Sequence, residues 1–194
     1  HKASEQLELS TFHSFGVRFL QEESKVLGYD GRFVIFDQAD ALGLIRELMR
    51  QARMSDGSRK LDAAAVLGRI SLWKNELKAP EDIAASDFEY DAIARDLYPK
   101  YEQSLRHMHA VDFDDLVVLP VRILEKHKHV REKWQRRFRY ILIDEFQDTN
   151  VAQLRTLLLL ANEQSNVCVV GDDDQAIYGW RGADVRNILE FEQH

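Results

Sequence analysis

The stretch Tyr140-Ile141-Leu142-Ile143-Asp144-Glu145-Phe146-Gln147-Asp148-Thr149-Asn150 begins as a compact apolar run and ends that run in two acids. A helical stripe follows, with Leu154, Leu157, Leu158 and Ala161 on one side. Then comes a second apolar run, Asn166 to Val170, closed by Gly171 and by Asp172-Asp173-Asp174. Two short, wholly apolar runs around a helix predict a strand–helix–strand unit in a parallel sheet. Parallel strands covered on both faces lose the in–out alternation of a half-buried strand. The spacing from Asp144 to Asp172 is about one such unit. Cys168 lies inside the second run and is expected to be a buried small hydrophobe.

Upstream, the pattern is helical. Leu7 to Ser10 reads as the end of a short strand, after which Phe12, Phe15, Phe19 and Leu20 recur at helical spacing. Asp37 is a good N-cap for a helix carrying Leu42, Ile45, Leu48 and Met49. Val66, Ile70, Trp73 and Leu77 form another stripe, closed by Pro80. Ile93, Leu97, Tyr101, Leu105 and Met108 form a third, with an expected kink at Pro99, and Asp112 is expected to cap a fourth, kinked at Pro120. The chain therefore reads as a strand, a long helical insertion and then an α/β unit.

The 194 residues contain one cysteine, which excludes an internal disulfide framework and fits a reducing, cytoplasmic setting. No apolar stretch approaches the ~18–20 residues that cross a bilayer, so no membrane partner is expected. The net charge of −7 argues against a free-standing DNA-binding module, which is usually basic. One segment departs from this. Arg122 to Arg139 carries eight Lys and Arg against Glu125 and Glu132. A solvated helix face is the plainer reading, and a phosphate-facing patch is the alternative.

Ligands of open parallel sheets sit at the carboxyl ends of the strands. Both apolar runs end there in carboxylates. Phosphoryl transfer to water needs one group to hold Mg²⁺ and another to orient or deprotonate the water. Adjacent acids after a buried strand suit these roles, although Asp also simply caps helices.

The longer strings decide between these readings. Asp144 to Asn150 resembles motif II of the UvrD/Rep/PcrA-type superfamily 1A helicases. Gly171-Asp172-Asp173-Asp174-Gln175-Ala176-Ile177-Tyr178-Gly179-Trp180-Arg181-Gly182-Ala183 resembles their motif III, and Thr11-Phe12-His13-Ser14 their motif Ib. Asp112-Phe113-Asp114-Asp115-Leu116 resembles the segment that returns from their inserted helical domain. Trp73 to Lys78 and Arg131 to Trp134 look most like the Rep branch.

The resemblance implies a partial RecA-like P-loop NTPase domain, an α/β fold with a parallel sheet, and a large all-helical insertion. Residues 1–14 would start the motor domain, 15–126 form the insertion, and 127–194 complete the motor part. It implies ATP and Mg²⁺ as cofactors and 3′–5′ helicase or translocase activity on single-stranded DNA and on single-strand/duplex junctions. Asp144 would hold Mg²⁺, Glu145 would be the general base, and Gln175 would sense the γ-phosphate. Gln147 would lie with Asp144 and Gln175 at the nucleotide. Thr11, His13, Phe113, Tyr178, Trp180 and Arg181 would contact DNA.

General physics supports these roles. Base–aromatic stacking is worth ~1–3 kcal/mol per base and tolerates any sequence, as a translocating motor requires. Gly179 and Gly182 would let the backbone turn sharply around Trp180-Arg181.

Plainer readings stand beside these. Tyr178, Trp180 and Trp73 could be core aromatics, Phe113 could pack at a helix start, and His13 could be a satisfied histidine. Lys74 and Lys78 could lie on one face and touch duplex DNA. His107, His109, His127 and His129 have spacings that do not share a helix face, which disfavours a metal site. A metal-dependent nuclease built on the acid clusters, or a non-catalytic docking module, would be different functions. The phosphate loop G-x-x-x-x-G-K-[ST] occurs nowhere in the chain. The expectation is that the chain starts after that loop, stops before a second motor domain and turns over no ATP alone.

Overall fold

The computed structural model describes residues 7–28, 32–52, 61–162, 166–179 and 182–191. It is mostly helical, with two small parallel sheets. Helix α1 spans Phe12–Glu22, with Thr11 at its N-cap accepting from the Ser14 amide. Strand β1 is Val34–Ile35 and pairs in parallel with β2, Ala110–Val111. Between them lie α2 (Gln38–Gln51), α3 (Ala63–Asn75) and α4 (Glu89–His107). Asp37 caps α2, in a reciprocal box with Asp40.

After β2 come α5 (Asp115–Lys126), α6 (Lys128–Arg137), β3 (Ile141–Ile143), α7 (Val151–Leu160), β4 (Val167–Val169) and α8 (Arg186–Leu189). Strands β3 and β4 are parallel, with Ile141 opposite Val167 and Ile143 opposite Val169. This is the strand–helix–strand unit that the apolar runs predict.

Three hydrophobic clusters hold the described residues, two of them large. The first is built by α2, α3 and α4 around Ile45, Val66, Ile70, Trp73, Leu97 and Tyr98. Trp73 therefore belongs to the core. The second joins α1, α5, α6 and α7 around Phe15, Phe19, Leu124 and Trp134. The Trp134 indole N–H donates to Glu23 Oε1 at 2.8 Å, which satisfies the one polar atom that its burial would strand. At Gly16 the helices α1 and α5 touch backbone to backbone. A Cβ there would stand 1.7 Å from the Leu116 carbonyl oxygen.

Several expectations need correction. Residues 7–10 form no strand, and the residues ahead of them lie outside those described; β1, after α1, is two residues paired with β2 across the whole α2–α4 segment. Pairing so distant in sequence leaves little local trace. Helix α3 ends at Asn75, ahead of Pro80, because Leu77 takes a left-handed backbone, φ 60°. Pro99 and Pro120 lie inside α4 and α5, the position that the expected kinks require. Helix α5 starts at Asp115, and Asp112 acts one turn earlier, accepting from the Asp115 amide at 2.8 Å.

Cys168 is exposed, as is Leu142 beside it in the β3–β4 register. The alternate residues Ile141, Ile143, Val167 and Val169 are half-buried. Among the described residues no element covers the face that carries Leu142 and Cys168, so the sheet is buried on one side.

Candidate functional site

The carboxyl ends of β3 and β4 are tied together by backbone. Val170 N–H donates to Ile143 O at 2.8 Å, and Phe146 N–H donates to Val170 O at 2.9 Å. Between them Asp144 and Glu145 leave the sheet. Glu145 takes a left-handed backbone, φ 51° and ψ 43°, which is costly for a side chain with a Cβ. Both residues are exposed, and Asp144 Oδ1 accepts from the Glu145 amide at 3.0 Å.

Gln147 is buried beneath them and uses both ends of its amide. Nε2 donates to Glu145 Oε2 at 2.7 Å, and Oε1 accepts from the Asp172 amide at 3.0 Å. It therefore clamps the turn after β3 to the turn after β4. Gly171 makes the clamp possible, since a Cβ there would meet Gln147 Oε1 at 2.4 Å and the Phe146 amide at 3.1 Å. Asp172 in turn accepts from Gln175 Nε2 at 2.7 Å and from the Asp174 amide at 3.1 Å.

The result is one connected row, Asp144–Glu145–Gln147–Asp172–Gln175, at the sheet's carboxyl end. Its exposed oxygens are hard donors. A hard cation that keeps several waters needs only one or two such carboxylates, so the donor set suits Mg²⁺. Among the described residues no group of three or more His, Cys, Asp or Glu stands where it could hold a metal ion by itself.

The end of the 144–150 stretch is gripped from the other side. Asn150 caps α7, accepting from the Gln153 amide at 2.9 Å, and forms an antiparallel bridge with Ala183. Asp184 N–H and Asn187 Nδ2 both donate to Thr149 O, at 3.0 and 2.9 Å. The chain after β4 thus folds back on Thr149-Asn150.

The candidate DNA contacts fall into two groups. In the first, His13 and Phe113 meet edge to face, ring centres 6.1 Å apart. Phe113 is half exposed. Desolvation by its surroundings lowers the His13 pKa, with Asp114 opposing. His13 itself is exposed at the surface rather than a satisfied core histidine. Thr11 uses its hydroxyl as the α1 cap. In the second group, Tyr178 is exposed, and Gly182, at φ 86°, donates to Gly179 O at 3.0 Å to close a turn. Trp180 and Arg181, expected within that turn, lie outside the described residues.

Lys74 is the clearest correction. Read from sequence as a residue that could touch duplex DNA beside Lys78, it is fully buried, and its Nζ contacts Asp112 at 2.8 Å, Asp115 at 2.7 Å and Glu102 at 3.2 Å. Burial alone would lower its pKa, but the carboxylates of Asp115, Asp112 and Glu102 raise it well above the ordinary value. Lys78 lies past the end of α3 and pairs with Glu76.

The basic segment is also largely spoken for. Lys133 and Arg137 pair with Glu22 and with Glu23 or Glu8 on or near α1, while Arg131 donates to Leu124 O. Lys133 and Arg137 thus form an ion-paired face of α6 against α1. Sequence reading missed Asn75, which binds both Asp114 and Asn150. A lone asparagine at a helix end carries no periodic signal.

The comparisons with known proteins settle the family. The profile of the UvrD/REP helicase N-terminal domain matches residues 1–194. This chain belongs to the UvrD/Rep helicase family. It is 42% identical over 187 residues to the ATP-dependent DNA helicase PcrA of Staphylococcus epidermidis, covering 95% of this chain and 25% of that protein. It is 41% identical over 192 residues to the protein of the same name from Staphylococcus aureus, covering 98% of this chain and 26% of that one. The chain thus spans about a quarter of the length of the helicases it matches.

Proposed function

We propose that the protein containing this chain is an ATP-dependent DNA helicase or translocase moving 3′–5′ on single-stranded DNA and acting at single-strand/duplex junctions in the cytoplasm. The observation that carries the reading is the connected row at the sheet's carboxyl end, in a chain of the UvrD/Rep helicase family. The motor part is a partial RecA-like domain, residues 1–14 and 127–194, with residues 15–126 as its helical insertion. Within that insertion α2–α4 keep a core of their own, while α1 and α5 share the motor's core.

In this reading Asp144 would hold Mg²⁺, which when bound would supply positive charge against the nucleotide phosphates. Glu145 accepts the proton of the attacking water, with its carboxylate aimed by the Gln147 amide. Gln175 donates toward the γ-phosphate by leaving Asp172, and the loss of that bond frees the turn that leads to Tyr178, Trp180 and Arg181. Gln147, bonded to both strand ends, carries the change between them. Tyr178, Trp180 and Phe113 stack on bases, and Thr11, His13 and Arg181 contact the strand.

The chain of 194 residues has no phosphate loop and is expected to turn over no ATP by itself. The test is ATP hydrolysis by the full-length protein with and without single-stranded DNA. DNA-stimulated turnover should vanish in Glu145→Gln, falling by at least ~10². Trp180→Ala should keep basal turnover and lose the stimulation. Absence of any stimulation in the wild type would sink the reading.

A further inference from the structure

Phe113 is flanked by two aspartates, and two adjacent residues at the end of α3 hold one each. Lys74 Nζ binds both carboxylate oxygens of Asp112, at 2.9 and 2.8 Å, and Tyr101 adds its hydroxyl to the same group at 2.9 Å. Asn75 Nδ2 donates to Asp114 Oδ1 at 2.7 Å and to Ser71 O at 2.9 Å. The other end of the Asn75 amide, Oδ1, accepts from Asn150 Nδ2 at 2.7 Å. Asn150 is the last residue of the stretch that starts at Asp144, and its backbone bridges Ala183. One amide therefore joins the helical segment, the turn that presents Phe113, and the turn that follows the strand-end carboxylates.

The bonding is directional. Rotating the amide by half a turn would set its oxygen against the Asp114 carboxylate and its NH₂ against the NH₂ of Asn150. Such satisfied polar networks specify one arrangement of the parts they join.

We propose that Asn75 is a positioning residue that fixes Phe113 relative to the strand-end site, so that occupation of Phe113 by a DNA base is communicated to ATP turnover. The inference rests on the function proposed above. Asn75 touches neither nucleotide nor DNA and acts through Asp114 and Asn150. Lys74 supplies the rigid half of the grip, and Asn75 the half connected to the nucleotide end.

The test uses the full-length protein and oligothymidine, with ATP turnover followed as the oligonucleotide is titrated. Asn75→Asp keeps the side-chain shape and the acceptor for Asn150 but sets a carboxylate against Asp114. Asn75→Ala removes both arms. Both should leave DNA-free kcat and the KM for ATP within about twofold, while the oligothymidine concentration for half-maximal stimulation rises about tenfold. Phe113→Ala should show the same rise, and Asn75→Ala in the Phe113→Ala background should add nothing. Stimulation unchanged in Asn75→Asp overturns the proposal, as does a fall of DNA-free turnover in parallel with the stimulated rate, or a full additive loss in the double variant. If the wild type itself ignores oligothymidine, the proposed function falls first, which is a separate result. Should Asn75→Ala fail to fold, the isosteric Asn75→Asp carries the test.

Discussion

At the scale of single residues, the least ordinary group is Asp115. It is 4% exposed and lies 2.7 Å from Lys74 Nζ, with Asp112 and Glu102 close by. Burial first, and then the charge of Asp112, push its pKa up to about 7, against the pull of Lys74. A carboxyl raised in the folded state holds a proton that the unfolded chain releases near pH 4. Its contribution to stability is whole below about pH 4 and is lost as pH rises towards 7. Asp112 has the opposite sign. Burial would raise it, but Lys74 holds it below the usual carboxylate range, so its contribution is lost only in acid. Between about pH 4 and 7 Asp115 is joined by Asp114, which burial and Asp112 also raise, and the two act in the same direction. Asp115→Asn should therefore flatten the fall in urea midpoint over that interval. An unchanged slope would place the proton elsewhere.

At the scale of elements, the packing of α1 on α5 is set by Gly16. Alanine at an interior helix position normally gains about 0.5–1 kcal/mol over glycine. Here a Cβ would lie 1.7 Å from the Leu116 carbonyl oxygen, which is backbone and cannot swing aside. Overpacking of this kind costs about 1–3 kcal/mol or more, so the clash wins. Gly16→Ala should lower the thermal midpoint, and a rise would show that the helices can slide apart freely. Phe15 and Phe19, on the same helix, pack on Trp134, so the shift should also disturb indole fluorescence.

At the scale of the whole molecule, two hydrophobic clusters meet at a polar seam. Lys74 belongs to α3, on the side of the first cluster, while Asp112 and Asp115 lead into α5, in the second. Removing the ammonium would leave three buried or nearly buried carboxylates without their cation. Breaking a buried pair in this way typically costs ~3–5 kcal/mol. Lys74→Ala should lose about that much in urea unfolding, whereas Lys78→Ala, an exposed pair with Glu76, should lose under ~1 kcal/mol. Equal effects would mean that the seam is not what joins the two clusters.

The sequence by itself determined the parts that depend on local pattern. The apolar runs at 140–143 and 166–170, the cap at Asp37, and the strand-end acids Asp144, Glu145 and Asp172 are all legible from neighbours a few residues apart. Period and capping act over that range, and the family strings lie within it. Tertiary structure alone decided what depends on distant partners. It paired β1 with β2, set Gly16 against Leu116, buried Lys74 and exposed Cys168. It also joined Asn75 to Asn150 and Asp114. A lysine is solvated or buried according to which carboxylates the fold brings to it, and an apolar strand residue is covered only if another element lies over its face. Neither condition is written in the residues beside it.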